Sequence, residues 1–143
     1  MSEMSPRRRR IAESPEDLEE QILARVRVAA IAAADKKAFM IDVLKVAELT
    51  SIADYFLICS TSSERQAMAV CEAIEERLRD TLGVRPSLIE GKSSGRWILL
   101  DYGDFVVHVF LEESRKFYRL ERLWGDAPNL ARELLGDLDR SAF

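Results

Sequence analysis

The chain contains few of the residues that most often bind metal ions or act in catalysis. Among its 143 residues there are one histidine, His108, and two cysteines, Cys59 and Cys71. A zinc-type metal centre needs three or four ligands, and one histidine with scattered carboxylates supplies no recognisable set. The cysteines lack metal-ligand spacing. One falls in a predicted strand and the other in a predicted helix, which favours reduced, packed thiols. We therefore predict no metal ion and no cofactor.

Motifs for phosphate binding and nucleophilic catalysis are also missing. The sequence has no Gly-x-x-x-x-Gly-Lys-Ser/Thr loop, no Gly-x-Gly-x-x-Gly turn and no Gly-x-Ser-x-Gly elbow. These motifs hold phosphates or an activated serine, so their absence argues against the enzymes that use them. We predict that the protein is not an enzyme.

Long hydrophobic runs are absent as well. No apolar segment approaches the ~20 residues that a membrane helix needs. The first arginines are not followed by the apolar stretch of a secretory signal, and acidic residues at 3, 13, 16 and 17 argue against a mitochondrial transit peptide. With 48% hydrophobic and 32% charged residues, the chain reads as a soluble globular protein. We predict a cytoplasmic location and no membrane partner.

Charge is unevenly distributed along the chain. Residues 1–10 contain four arginines and one glutamate, a net charge of +3, and the rest contributes −7 to the total of −4. An acidic body repels nucleic acid and attracts a basic partner. We predict that residues 1–13 form a disordered, solvated basic tail. The alternative is a minor contact between the arginines at 7–10 and RNA phosphates.

Hydrophobic periodicity predicts helices and strands in a single α/β domain. Ser14 and Pro15 are typical of a helix start, and Ser63-x-x-Gln66 overlaps Thr61-x-x-Glu64 as a second capping pattern. The predicted elements are, in order, a helix from 15, strands at 38–46 and 55–60, a helix from 64 to near 83, a strand in "RPSLIEG", two strands within 97–110, a helix over 112–124 and a short helix after Pro128. This order predicts a mixed five-stranded sheet flanked by helices.

The segment "WILLDYGDFVVHVF", from Trp97 to Phe110, predicts a β-hairpin that turns at Tyr102 and Gly103. With that turn, Trp97 lies opposite His108. Because side chains alternate along a strand, each face can be read from the sequence. The face assigned to the core carries Ile98, Leu100, Phe105, Val107 and Val109. The other face carries Trp97, Leu99, Asp101, Asp104, Val106, His108 and Phe110. Its mixture of aromatic and polar groups is typical of a recognition surface.

Two residues of this hairpin have competing interpretations. Trp97 is interpreted as the buried anchor of an interface, and the alternative is that it packs under the last helix. For His108 a packed structural role is favoured over a partner contact. Catalysis is the least favoured interpretation, since no nucleophile stands in a matching motif.

Three ordered blocks of the sequence carry a family resemblance. "LTSIADYFLICSTSSERQ", "IEGKSSGRWILLDYGDFVVHVF" and "RKFYRLERLW" resemble the ribosomal silencing factor family, also called the Iojap family. The likeness spans roughly Glu20 to Asp126. It implies a domain over 14–126, followed by a C-terminal helical extension over 127–143.

The resemblance implies a function as well as a fold. Family members are related in fold to nucleotidyltransferases but lack their catalytic aspartates. They bind the large ribosomal subunit through its protein number fourteen, sterically block joining of the small subunit and so repress translation. Free members form homodimers. Two rival functions stay open: a nucleotidyltransferase-like nucleotide-binding protein, and an RNA-binding assembly factor for the large subunit.

The resemblance and the hairpin together give the candidate site residues. A basic ribosomal protein suits an acidic docking domain. The predicted partner-binding residues are Trp97, Asp101, Tyr102, Asp104, His108 and Glu90. A second set is predicted to serve the architecture or a dimer contact: Asp54, Tyr55, Arg65 and Gln66. In the architectural interpretation, Asp54 either caps a neighbouring turn or bonds Arg65.

Overall fold

The fold is that of a computed structural model, which describes residues 14–138. The predicted basic tail at 1–13 lies outside the described residues. The helices are α1 (Pro15–Asp35), α2 (Glu64–Leu82), α3 (Glu112–Tyr118), α4 (Leu120–Leu123) and α5 (Ala131–Leu135). The strands are β1 (Phe39–Lys45), β2 (Tyr55–Thr61), β3 (Leu88–Glu90), β4 (Trp97–Asp101) and β5 (Phe105–Leu111).

The five strands form one mixed sheet in the order β1-β2-β5-β4-β3, which confirms the predicted architecture. β2 and β5 pair in parallel, while the other neighbours are antiparallel. The parallel pair needs a crossover, and α2, β3 and β4 lie within it. β5 is thereby central, with β4 between it and the edge strand β3.

Both long helices begin where the sequence predicts, and α2 also ends where predicted. The Ser14 hydroxyl accepts a hydrogen bond from the Asp17 amide at 3.1 Å, and the Ser63 hydroxyl accepts one from the Gln66 amide at 3.0 Å. These N-caps satisfy amide groups that the first turn leaves free. α2 ends at Gly83, whose φ of +68° is the left-handed conformation that terminates many helices.

The first face of the sheet packs against α1, α2 and α5. Its buried side chains are almost entirely apolar and include Leu57, Leu100, Val107 and Val109. Alanines on the inner side of α1 permit close packing. The alternation predicted for the core face of the hairpin is confirmed here.

The second face forms a smaller core beneath α3 and α4. Phe56, Ile58, Val106, Phe110 and Leu120 are buried there, and both tryptophans pack against them while remaining half-buried. Much of the face that the sequence predicts to be a recognition surface is therefore covered by the chain itself. Only its margins reach solvent.

The hairpin turn lies one residue later than predicted. Trp97 pairs with Phe110 and Leu99 pairs with His108, a register two residues from the predicted one. The Tyr102 amide donates to the Phe105 carbonyl, so Gly103 is the first of two central residues, with φ of +88°. Glycine at the first central position suits a turn whose twist matches the flanking strands. A shift of two residues preserves the facing of every side chain.

The predicted single helix over 112–124 is wrong. Arg119 adopts a left-handed conformation with φ of +51°, and this residue separates α3 from α4. The break changes the direction of the chain, so Leu120 is buried while Phe117 is 79% exposed. A continuous helix over 112–124 would place Phe117 on the same side as Leu120 and Trp124, and the break at Arg119 prevents this alignment.

The segment after residue 126 belongs to the same packed unit. The Lys45 amide donates to the Pro128 carbonyl at 2.9 Å, and the Leu130 amide donates to the Val43 carbonyl at 2.7 Å. Leu135 of α5 is fully buried in the first core. The predicted extension thus covers the edge strand β1, at least as far as the described residues reach.

Candidate docking surface

Trp97 stands at the start of β4, on the second face of the sheet. Its ring stacks on Phe110, with centroids 4.8 Å apart, and lies 4.9 Å from the ring of Tyr118. Its indole Nε1 donates a hydrogen bond to Nδ1 of His108 at 3.1 Å. The indole is therefore fixed both through its ring and through its one polar atom, while part of its surface stays exposed.

His108 supports Trp97 from within the sheet. Indole can only donate, so Nδ1 accepts and the imidazole proton is on Nε2, which is buried without a hydrogen-bond partner among the described residues. Burial lowers the pKa of His108 to about 4, and the ring meets Phe56 edge-on at 4.9 Å. A neutral imidazole that is 5% exposed has no surface for direct contact with a partner in this conformation. Its role here is to position Trp97.

Exposed aromatic and apolar side chains extend this surface onto α3 and α4. Phe117 is 79% exposed, Tyr118 52% and Leu123 75%. We call Trp97 together with these three residues the aromatic surface. Sequence reasoning missed the last three because a continuous helix would have turned Phe117 inward. The sequence carries no signal for a left-handed arginine.

A groove runs along the aromatic surface where β4, α2 and α3 approach each other. Its volume is about 590 Å³, and its walls include Trp97, Phe117 and Tyr118. Glu64, Arg96 and Glu113 supply its charged groups. The preceding loop is tight here: a side chain at Gly91, whose φ is +91°, would collide with the Trp97 carbonyl. Glycine at this position therefore allows the loop to lie against β4.

The hairpin acids lie away from Trp97. Asp101 accepts a hydrogen bond from the Gly103 amide at 2.8 Å, and Asp104 is exposed in the turn. Asp101 lies four positions beyond Trp97 along the strand, a distance of about 13 Å. The structure therefore places the predicted acidic and aromatic residues at opposite ends of β4.

Glu90 and Tyr102, which are also predicted to bind the partner, lie on opposite faces of the sheet. Glu90 is exposed on β3 and pairs with Leu99, so it lies on the same face as Trp97. Tyr102 instead stacks on Phe105 at 4.9 Å on the opposite face, with its hydroxyl buried. Strand alternation predicts this facing, because Tyr102 is in phase with Leu100. The site prediction did not apply that rule to the turn.

Asp54 and Arg65 do not bond each other. They lie beyond opposite ends of β2, and Arg65 is exposed at the start of α2. Burial, followed by the nearby charges of Asp104 and Glu19, raises the pKa of Asp54. The predicted internal pair is therefore wrong, because seven strand residues separate its members.

Tyr55 and Gln66 make architectural contacts. The Tyr55 hydroxyl donates to the Glu19 carboxylate, which also pairs with Lys45 at 2.9 Å. These two hydrogen bonds, the one from Tyr55 first, lower the pKa of Glu19. The Gln66 side chain donates to the Lys36 carbonyl at 3.0 Å and accepts from the Ser62 amide at 2.6 Å. Tyr55 thus links β2 to α1, and Gln66 links α2 to the end of α1 and to the loop that precedes α2.

Arg115 is a buried residue that sequence reasoning missed. Its guanidinium is 5% exposed and donates to Asp42 at 2.6 Å, to the Ser60 hydroxyl at 3.0 Å and to the carbonyl of Met40. Met40 lies in an irregular part of β1 with φ of +52°. Because Arg115 belongs to α3, these bonds hold in place the helix that carries Phe117 and Tyr118.

The described residues contain no metal-binding cluster and no reactive thiol. Residues 14–138 hold no cluster of three or more side chains suited to a metal ion. Cys59 and Cys71 are buried and free, and burial raises the pKa of Cys59 to about 12, which keeps the thiol protonated. No helix within this range has the length and apolar character required to cross a bilayer. A rigidly supported aromatic surface on an α/β scaffold is the geometry of a binding domain.

Comparison with known proteins identifies the family. The family model "Ribosomal silencing factor during starvation" matches residues 19–142. The chain belongs to this ribosomal silencing factor family, whose members are ribosome-associated regulators of translation. The match confirms the resemblance read from the sequence and continues past Asp126, where that resemblance ended.

Individual relatives agree with the family model. The ribosomal silencing factor RsfS of Bacillus subtilis is 42% identical over 114 residues, which is 80% of this chain and 91% of the relative. A crystal structure of a protein from Chromobacterium violaceum has a TM-score of 0.68 at 35% identity, covering 73% of this chain and 85% of the other. The mouse protein named mitochondrial assembly of ribosomal large subunit protein 1 is 36% identical over 74 residues, which is 50% of this chain and 32% of the mouse protein.

Proposed function

We propose that this protein binds the large ribosomal subunit through the aromatic surface and sterically blocks joining of the small subunit. Its contact on the subunit is ribosomal protein number fourteen. The observation that carries the proposal is the exposure of Phe117 and Tyr118, which line one groove with a fixed Trp97, in a member of a ribosomal silencing family. Steric exclusion requires tight binding to the large subunit and no catalytic group.

The geometry of the aromatic surface favours tight binding. Tryptophan and tyrosine are enriched among the residues that dominate interface energies. Trp97 is already held by Phe110 and His108, so little conformational freedom is lost when a partner covers it. Phe117 and Leu123 are largely exposed, and their burial would release apolar surface from water.

Acidic residues would form the charged rim of the proposed interface. Glu90 and Asp104 are exposed and Asp101 is half-buried, on or near the second face, and all three would pair with lysines or arginines of a basic ribosomal protein. Such rim charges speed encounter and fix orientation more than they add affinity. Of the four residues predicted for architecture or dimerisation, Arg65 is exposed and free for contact with a second copy of the chain.

A second candidate function is assembly of the large subunit. The name of the mouse relative favours this candidate, since it describes assembly of the mitochondrial large subunit. Both functions require binding to the large subunit. They differ in whether the mature subunit is blocked or an immature subunit is matured.

Subunit association tests the proposal directly. Purified large subunits are incubated with this protein before small subunits are added, and the mixture is separated by gradient sedimentation. We expect fewer joined ribosomes and comigration of the protein with the large subunit. Normal joining without comigration would contradict both binding to the large subunit and inhibition of subunit joining.

A matched pair of variants locates the surface. Phe117→Ala removes an exposed side chain of the aromatic surface, and Leu82→Ala removes an exposed side chain at the end of α2. We expect at least about tenfold weaker binding for Phe117→Ala, typical of a hot-spot truncation, and no change for Leu82→Ala. Equal binding by the two variants would move the contact elsewhere.

A further inference from the structure

We propose that the groove beside Trp97 is a binding site for an arginine side chain presented by a basic protein segment. This deepens the proposed function, on which it rests for the identity of the partner. The groove offers about 590 Å³ between the start of α3, the start of α2 and the first residue of β4. That is enough for a guanidinium and the backbone on either side of it.

The wall formed by Trp97 can offer a ligand only its π-surface. The one donor of the indole is already bonded to Nδ1 of His108, and indole has no acceptor. Tyr118 lies 4.9 Å from the Trp97 ring, and Phe117 meets Tyr118 edge-on at 5.0 Å. Three aromatic rings therefore face one opening. Cations are attracted to such ring faces, and arginine stacks on them more often than lysine.

The charged groups of the groove set the sign of the ligand. Glu113 is exposed and forms no ion pair with the described residues. Glu64 is paired only loosely with Arg96, at 3.7 Å, and both side chains are more than half exposed. Among the described residues, Glu113 is thus unpaired, and the two carboxylates of the groove outnumber its one cation, Arg96, so the groove holds net negative charge.

This combination selects against other ligands. A phosphate or a nucleic acid would meet the carboxylates of Glu113 and Glu64, which repel anions. A purely apolar side chain would leave Glu113 desolvated without a partner. A guanidinium satisfies both demands at once, because its plane stacks on an aromatic ring while its edge donates two hydrogen bonds to a carboxylate.

The charge of the whole chain fixes the class of partner. Beyond its first ten residues the chain carries a net charge of −7, which attracts basic proteins. The groove is lined by Phe117, which is exposed at the edge of the aromatic surface. An arginine in the groove would therefore orient a basic segment whose apolar residues cover that surface.

Peptide binding to the free protein tests the site without a ribosome. The probe is the blocked tripeptide acetyl-Gly-Arg-Gly-amide, and the comparator contains citrulline, a neutral analogue of arginine with nearly the same shape. In NMR titrations we expect the arginine peptide to shift the Trp97 indole resonance and the amide resonances around Glu113. The citrulline peptide should bind at least about tenfold more weakly, since it cannot form the ion pair. Equal shifts from both peptides, or no shift at millimolar concentrations, would overturn the site.

Adjacent glutamates of α3 supply the matched control. Glu113 lines the groove, whereas Glu112 does not and lies 4.0 Å from Lys116. We expect Glu113→Gln to abolish the preference for arginine over citrulline, and Glu112→Gln to keep it. An unchanged preference in Glu113→Gln would also overturn the site.

The two proposals fail in different ways. If the peptide does not bind but the protein still sediments with large subunits, the arginine site is wrong and the docking function stands. If the peptide binds but the protein does not sediment with large subunits, the site stands and its partner is not the ribosome.

Discussion

The two faces of the sheet are built from the same five strands but covered very differently. On the first face, α1, α2 and α5 bury apolar side chains such as Leu57 and Val107 completely. On the second face, the short α3 and α4 cover only part of the surface. That face contains a buried imidazole and a buried guanidinium, and it leaves Phe117 in solvent.

The difference separates stability from function within one small domain. Complete burial of apolar surface is the main favourable contribution to folding. The second face buries less and retains polar groups that need specific partners, which gives a defined surface at lower stability. The first face should therefore govern unfolding, and the second should govern docking.

Truncation in the first core should give the largest loss of stability. Leu57 is fully buried, so Leu57→Ala removes apolar contacts and leaves a cavity. We expect the free energy of unfolding to fall by about 3 kcal/mol in urea titrations. Leu123→Ala, on the aromatic surface, is the control and should change it by less than about 0.5 kcal/mol. Similar losses of unfolding free energy in the two variants would contradict the conclusion that the first face governs stability.

Removal of Arg115 should have a slightly smaller effect. Arg115→Met leaves Asp42 and the Ser60 hydroxyl without their buried donor. We expect a loss of about 2–3 kcal/mol, because an ion pair broken on one side leaves an uncompensated charge. The double variant Arg115→Met/Asp42→Asn should recover part of that loss. A single variant as stable as the wild type would show that the charged network does not hold α3.

Acidification should destabilise the second face through His108. Its pKa is about 4 in the folded chain and near 6.5 when exposed, so between these values the unfolded chain binds more protons. Stability therefore falls as the pH is lowered through this window. The contribution of His108 between pH 7 and pH 5 should be about 2 kcal/mol.

The His108→Gln variant isolates this contribution. Urea unfolding at pH 7 and pH 5 should give a smaller loss for the variant than for the wild type, since other titrating groups act in both. Equal pH dependence would mean that His108 is accessible to protons in the folded protein.

Substitutions at the break between α3 and α4 should change the stability least. Arg119 is exposed and left-handed, so Arg119→Gly relieves an unfavourable conformation and should stabilise by up to about 1 kcal/mol. Arg122→Gly, within α4, should destabilise by about 1 kcal/mol because its conformation is helical. Thermal unfolding compares the two, and the same sign in both would argue against a break at residue 119.

Local rules predicted the parts of the fold that short segments specify. Ser14, Ser63 and Gly83 mark helix ends because capping depends on groups within one turn. Strand alternation separated Leu100 from Trp97 correctly even though the hairpin register was wrong, since a shift of two residues preserves each face. The turn itself depended on where Gly103 sits, which alternation alone does not specify.

The candidate site was predicted only in part, for a physical reason. Trp97 stands out as a large aromatic residue on a mixed face. The exposure of Phe117 depends on the left-handed Arg119, and the support of α3 depends on bonds from Arg115 to β1 and β2. Those contacts join residues 55 to 75 positions apart. No pattern within a short window reports them.

The sequence by itself determined the family, the α/β class, the helix caps and the facing of the residues in β4 and β5, because these depend on residue type and on periods of two or 3.6 residues. The tertiary structure alone decided that His108 lies beneath Trp97 and that α3 presents Phe117 to solvent. Each of these outcomes depends on packing between distant segments, where burial and hydrogen bonding compete across the whole domain.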